Sequence, residues 1–139
     1  MYYQFTPGGE PKAPVRAYHG DAGWDLFLSR ECVAVAGKVT DCATNIRIAL
    51  PEGFWGRIVG RSSTFRKSGV LVVEGIIDQG YRGELFIGVY NPTKDNILFP
   101  KHTRLAQIIL HELIQVPWSE VADLPESERG SKGFGSSGR

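Results

Sequence analysis

The sequence has little that would staple it covalently or anchor it in a membrane. Its 139 residues include two cysteines and one methionine, and no stretch approaches the roughly 18 apolar residues of a membrane span. Cys32 and Cys42 are too few for a disulfide scaffold and lack the paired CxxC pattern of a zinc site. Their spacing leaves one bridge open, but the absence of a leader favours two free thiols. The N-terminus, MYYQFTPGGEPKAP, has neither the basic start nor the unbroken apolar run of a secretory signal, so a cytoplasmic protein is expected. Charge of one sign is lacking too: sixteen Lys+Arg against fifteen Asp+Glu leave a formal net charge of +1. No general field draws the chain toward nucleic acid or an anionic membrane, and any anion must be held by local clusters.

What is present is punctuation. Seventeen glycines and eight prolines separate short apolar runs, the pattern of an all-β protein in a single domain. In TNIRIALPEG, Ile46, Ile48 and Leu50 alternate with Arg47 and Ala49, which predicts a strand with one buried face. GELFIGVYN places Leu85, Ile87 and Val89 on one face and Phe86, Gly88 and Tyr90 on the other. GRIVGR (56–61) reads as a further strand, and RLAQIILHELIQV (104–116) as a strand buried on both faces. Only SSTFRKSG (62–69) reads as helical, a short turn opened by serine caps. Many short strands of this kind build a sandwich, jelly roll or barrel. The regular pattern stops after Trp118, dividing the chain into a core of residues 1–118 and a flexible C-terminal arm of residues 119–139.

Five stretches are too polar or too glycine-rich for structure alone. DAGWDL carries Asp21 and Asp25, which suit a divalent cation or, as readily, a turn aspartate beside an exposed one. GRSSTF offers the fork of Arg61 and the hydroxyls of Ser62 and Ser63 at a helix start, a phosphate grip or an ordinary capped turn. EGIIDQGYRGE buries Ile76 and Ile77 and lets Asp78 and Tyr81 emerge at a turn, as a general base and a ring for a ligand or as a plain hairpin. Gln107 is the odd residue in RLAQIIL, a buried amide that needs a partner. The tail RGSKGFGSSGR combines Arg129, Ser136 and Ser137 with one stacking residue, Phe134, and reads alone as a site segment or a frayed end.

In this order the five stretches resemble the motif set of the trimeric dUTPases, from about Asp21 to Gly138. The resemblance implies a distorted jelly-roll or β-barrel-like fold with one short helix, and hydrolysis of dUTP to dUMP and pyrophosphate. Asp78 would be the base that activates the water attacking the α-phosphorus. A Mg²⁺ cofactor would ride on the triphosphate, held by Asp25 through water, with Gln107 supporting the catalytic region. Arg61, Ser62 and Ser63 would grip phosphate, and Tyr81 would pack on the deoxyribose and exclude a 2′-hydroxyl. The resemblance further implies that main-chain groups of a hairpin near Gly69–Ile77, Gly75 and Ile77 among them, read uracil. Phe134 would stack on the base while Arg129, Gly135, Ser136 and Ser137 close over the phosphates. It implies a homotrimer with sites shared between subunits, and a monomer without activity.

Two positions depart from that pattern: Trp24 stands where tyrosine is common, and Lys132 where glycine is common. His102 and His111 fall in no motif and read as surface or strand residues. The related dCTP deaminases place a glutamate where this chain has Gly88, which leaves deamination without a proton shuttle. A catalytically silent nucleotide-binding regulator is the other alternative, opposed by the presence of Asp25, Asp78, Arg129 and Phe134 together.

Overall fold

The computed structural model describes residues 1–133. Their glycine and proline turns cut the chain into β1 (Tyr2–Phe5), β2 (Gly23–Phe27), β3 (Cys32–Ala34), β4 (Val39–Ala49), β5 (Phe54–Gly60), α1 (Thr64–Ser68), β6 (Leu71–Val72), β7 (Gly75–Ile77), β8 (Glu84–Tyr90), β9 (Ile97–Phe99) and β10 (Arg104–Glu112). The strands pair antiparallel as two four-stranded sheets, β1-β4-β8-β6 and β2-β10-β5-β7, with a β3-β9 ribbon beside them. Neighbours within each sheet are distant in sequence, as in a jelly roll. The fold class is therefore the expected one, all-β with one short helix.

Period-two alternation builds the core. Ile46 and Ile48 of β4, Leu50 beyond it, and Leu85, Ile87 and Val89 of β8 are all buried, while Phe86 and Tyr90 on the reverse face are exposed. The second sheet answers with Leu26, Ile58, Ala106 and Ile108. Each such aliphatic side chain stabilises the fold by about 1.5–3 kcal/mol when fully buried. β10 lies between β2 and β5, and its register sets Gln107 beside both Asp25 and Val59. It is buried at Leu105, Ala106 and Ile108 but only half-buried at Ile109 and Leu110, so the two-sided burial expected for it is partial. The strand ends at Glu112 rather than Val116 because β5, its partner, begins at Phe54. Ile114, Val116 and Trp118 beyond it are exposed, and the last ladder thus closes short of the expected core boundary at 118. Residues 119–133 carry only isolated turns.

Four local expectations are corrected. The helix α1 forms, but Ser63 at its start makes no side-chain cap bond; Thr64 anchors it by donating to the Leu105 carbonyl at 2.6 Å. Gly69, at φ 72°, ends it by donating its N–H to the Phe65 carbonyl. Ile76 is exposed, because β7 is an edge strand and only alternate residues, here Ile77, reach the core. The segment 69–77 is not a self-paired hairpin, since β6 joins β8 in one sheet and β7 joins β5 in the other. Finally, Cys32 and Cys42 are joined in a disulfide with Cα atoms 5.7 Å apart. The chain reverses through Gly37, at φ 69°, and returns along β4 past β3, which is the approach a bridge requires.

Further contacts hold the N-terminal segment. β4 bulges between Ala43 and Arg47, where Asn45 is buried at φ 53° and its Nδ2 donates to the Pro7 carbonyl and to Thr6 Oγ1, both at 3.0 Å. His102 rests a ring nitrogen on the Glu10 carbonyl at 2.9 Å. Lys101 hydrogen-bonds the Glu10 carboxylate and holds its pKa below the usual carboxylate range. That last pair is exposed, so water screens most of its worth.

A Cys32→Ala/Cys42→Ala variant frees a short loop in the unfolded chain and should lose about 2–3 kcal/mol of unfolding free energy. Denaturant titration with and without reductant checks this: reductant should move the wild type toward the variant and leave the variant unmoved.

Candidate active site

Asp25 sits in the middle of β2, bridged on one side to Val15 and on the other to Gln107 of β10. Its side chain is 12 % exposed and both of its oxygens are taken: Oδ1 by Arg61 Nε at 2.7 Å, Oδ2 by Arg104 Nη1 at 3.1 Å. Arg61 follows β5 directly, and its backbone N–H donates to the Leu105 carbonyl, so three strands converge on one carboxylate. The second guanidinium leaves this ion-pair cluster with one positive charge in excess. Asp25 and Arg61 line a cavity of about 190 Å³ together with Ser62, Gln107, Asp21 and Gly23. Ser62 is exposed toward solvent, while Ser63 is half-buried at the start of α1.

Gln107 is half-buried rather than buried, and it lies over Gly23. A Cβ at Gly23 would stand 3.1 Å from Gln107 Cγ and Cδ and overlap Oε1, so the glycine supplies the space that the amide occupies. Asp21 lines the same cavity but is tied into a local turn: it accepts the Tyr18 N–H at 2.9 Å and returns its own N–H to the Tyr18 carbonyl. It is the turn aspartate. Trp24, on the opposite side of β2, packs partly against the core with the Arg16 guanidinium 3.5 Å over its ring.

Asp78 lies elsewhere. It follows β7, whose Ile77 pairs with Gly56 near the start of β5, whereas Arg61 lies past the end of that strand. The seven residues of β5 therefore hold Asp78 and Arg61 apart by roughly 20 Å of strand. Asp78 is also exposed, not partly desolvated at a pocket mouth. Its turn is tightly knit all the same. Tyr81 donates its N–H to the Asp78 carbonyl at 3.0 Å, and Arg82 Nη1 donates to the carbonyls of Gln79 and Tyr81 at 2.9 and 2.8 Å. Gly75 and Ile77 of β7 pair with Ile58 and Gly56. Arg129 is exposed and donates to the Lys132 carbonyl at 3.1 Å. Phe134, Gly135, Ser136 and Ser137 lie outside the described residues.

One chain thus brings Asp25, Arg61, Ser62 and Gln107 together and leaves Asp78 and Tyr81 on another part of its surface. Arg104, the second partner of Asp25, is the side chain of this cluster that sequence reasoning missed. It opens the RLAQ stretch, and a cation three residues before the odd glutamine was the available signal. Among the described residues no three His, Cys, Asp or Glu side chains come together as a metal cage. Asp25 has lone pairs left beyond its two guanidiniums, which fits an outer-sphere ion carried in on a polyphosphate.

A sequence model of the dUTPase family matches residues 10–138. The deoxyuridine 5′-triphosphate nucleotidohydrolase of Streptomyces avermitilis is 37% identical over 134 residues, 93% of this chain and 77% of that one. The enzyme of the same name from Paramecium bursaria Chlorella virus 1 is 38% identical over 125 residues, 90% of this chain and 89% of that one. Among solved structures, the dUTPase of Staphylococcus bacteriophage 80alpha with dUpNHpp superposes with a TM-score of 0.85 at 26% identity, covering 99% of each chain.

Replacing Asp25 by asparagine keeps the shape and removes the charge that Arg61 and Arg104 share. Because Arg104 is partly screened by water, the expected loss is about 1–2 kcal/mol of unfolding free energy. Denaturant titration at low and high salt measures it, and the gap between variant and wild type should narrow as salt rises.

Proposed function

The chain belongs to the dUTPase family; it hydrolyses dUTP to dUMP and pyrophosphate, and we propose that each site draws Asp78 from one copy and the phosphate grip from its neighbour in a homotrimer. The observation that carries this reading is the length of β5, which keeps Asp78 and the Arg61–Asp25–Gln107 cavity apart within one chain. A second copy is the economical way to join the halves, and a C3 ring repeats one heterologous contact three times.

In the joined site Asp78 accepts the proton of a water that attacks the α-phosphorus, and the bond to the bridging oxygen breaks so that pyrophosphate leaves. Phosphoryl transfer asks for alignment and charge neutralisation more than for covalent help. Arg61 supplies a guanidinium fork, and Ser62 and Ser63 supply hydroxyls at the start of α1. Gln107, seated over Gly23, keeps its amide directed at the phosphates. Contact with a neighbour would take Asp78 out of the full solvent exposure it has in one copy. Tyr81 walls the deoxyribose, and main-chain groups at Gly75 and Ile77 face the base. The arm closes from a further copy, with Phe134 on uracil and Arg129, Gly135, Ser136 and Ser137 over the phosphates.

Mg²⁺ bound to the triphosphate would neutralise part of its charge, and Asp25 would hold it through a coordinated water. Arg61 and Arg104 oppose a bare cation at that carboxylate, so the ion enters with the nucleotide.

Pyrophosphate release with Mg²⁺ tests the reading when dUTP is run beside dCTP, dTTP and UTP. Turnover should be confined to dUTP, and Asp78→Asn should lower it by about 10²–10⁴-fold. Ammonia released from dCTP would point to the deaminase instead. Sharing between copies has its own test. Asp78→Asn and Arg61→Ala are each inactive alone, but random mixed trimers should recover about a quarter of wild-type activity. Mixtures as dead as their parents would mean that each copy builds its own site.

A further inference from the structure

Tyr81 is 42% exposed, and an exposed ring serves as a wall only if something fixes it. The structure shows two restraints. The first is space at Gly83. A Cβ built there would lie 2.9 Å from Tyr81 Cε2 and overlap its Cζ and phenol oxygen, so the ring occupies the place of a side chain at 83. The second is a hydrogen bond from the Tyr81 hydroxyl to the Glu84 carbonyl at 2.9 Å.

Glu84 is itself held from two sides. Its Oε2 accepts the Thr6 hydroxyl at 3.1 Å, and its Oε1 accepts the Asn45 backbone N–H at 3.0 Å. Asn45 is the buried left-handed residue of the β4 bulge, where its N–H is turned out of the β4–β8 ladder and is free for a carboxylate. Its Nδ2 donates to the same Thr6 oxygen, its backbone oxygen accepts the Thr6 N–H at 2.9 Å, and Ser29 Oγ donates to its Oδ1 at 2.5 Å. Both oxygens of the carboxylate are thereby committed, and the start of β8 is locked to the N-terminal segment. None of these groups belongs to the phosphate cavity or to the general base.

We propose that Gly83 and Glu84, with Thr6 and Asn45 behind them, are positioning residues that set the enzyme's preference for deoxyribose by fixing the Tyr81 ring. The proposal rests on the reading of Tyr81 as the sugar wall. A wall excludes a 2′-hydroxyl only if it cannot recede, because the difference between the two sugars is a single oxygen atom. The hydrogen bond from the phenol to the Glu84 carbonyl, and the seat left open by the missing side chain at 83, fix where the ring stands. The N-terminal segment, far from any motif in sequence, thereby acts on substrate choice.

The chemistry of the restraints makes the test clean. At Gly83 the obstructing atoms are the far end of a half-exposed side chain, so an added methyl dislodges the ring from its seat and leaves the core untouched. The readout is the ratio of kcat/KM for dUTP to kcat/KM for UTP. Both substrates meet the same folded fraction, so a loss of stability cancels from the ratio while a displaced wall does not. Gly83→Ala should lower the ratio by about tenfold or more, chiefly through the sugar-bearing KM for dUTP and improved acceptance of UTP. Tyr81→Phe, which keeps the ring and removes only its bond to Glu84, and Thr6→Val, which releases one oxygen of Glu84, should each lower it by a smaller factor in the same direction. Tyr81→Ala is the control for the underlying reading and should abolish most of the preference. If Tyr81→Ala retains the wild-type ratio, the sugar-wall reading falls and the proposal with it. If Tyr81→Ala loses the preference while Gly83→Ala, Tyr81→Phe and Thr6→Val keep it, the wall stands and the proposed positioning role is overturned.

Discussion

The carboxylate of Asp25 is the point on which the site half of this molecule depends. It receives guanidiniums from the end of β5 and the start of β10 while lying in the centre of β2. A charge this far out of water needs partners on every open side, and supplying them forces three strands into one register. Once they are there, Gln107 must lie opposite Asp25, and the cavity over Gly23 follows. An ion-pair network thus orders the strands, and in the proposed site it is also what a polyphosphate would meet.

β5 carries the complementary constraint. Acting as a ruler, it sets Asp78 and Arg61, the proposed general base and phosphate grip, at opposite ends of one extended segment. No side-chain rotation spans that interval, because an extended arginine reaches only a fraction of it. In the proposed trimer, chemistry that needs both ends would come from packing between copies, and assembly and catalysis would become one event. The exposure of Asp78 in a lone copy belongs to the same account, since it leaves that face open to a neighbour.

Much of this was legible in the residues. The alternation of Ile46, Ile48 and Leu50, and of Leu85, Ile87 and Val89, reported the buried faces of β4 and β8 because a sheet packed on one side obeys a period of two. Ile76 misled because a pair of isoleucines reads alike in a central strand and at an edge, and only pairing distinguishes them. Asp21 and Asp25 looked equivalent in sequence but differ in their neighbours: one answers a local turn, the other two arginines distant in the chain. The disulfide escaped for a similar reason. The turn at Gly37 and the return of β4 past β3 bring Cys32 and Cys42 together, and that return is a tertiary fact. Ser63 resembled a cap, yet the anchoring bond is made by its neighbour Thr64 to a strand far along the sequence. In each case local composition was read correctly and a long-range partner decided the outcome.

The bulge in β4 has a consequence for where this protein can be cut or fused. The family match begins at residue 10, but Thr6 and Pro7, which Asn45 holds, lie before it. A chain trimmed to the matched span would keep all five motifs and still leave Glu84 Oε2 without its donor and the Asn45 amide facing solvent. The mechanical edge of this domain therefore lies upstream of its recognisable one, and a tag or fusion joined at residue 10 would meet an open socket instead of a finished surface.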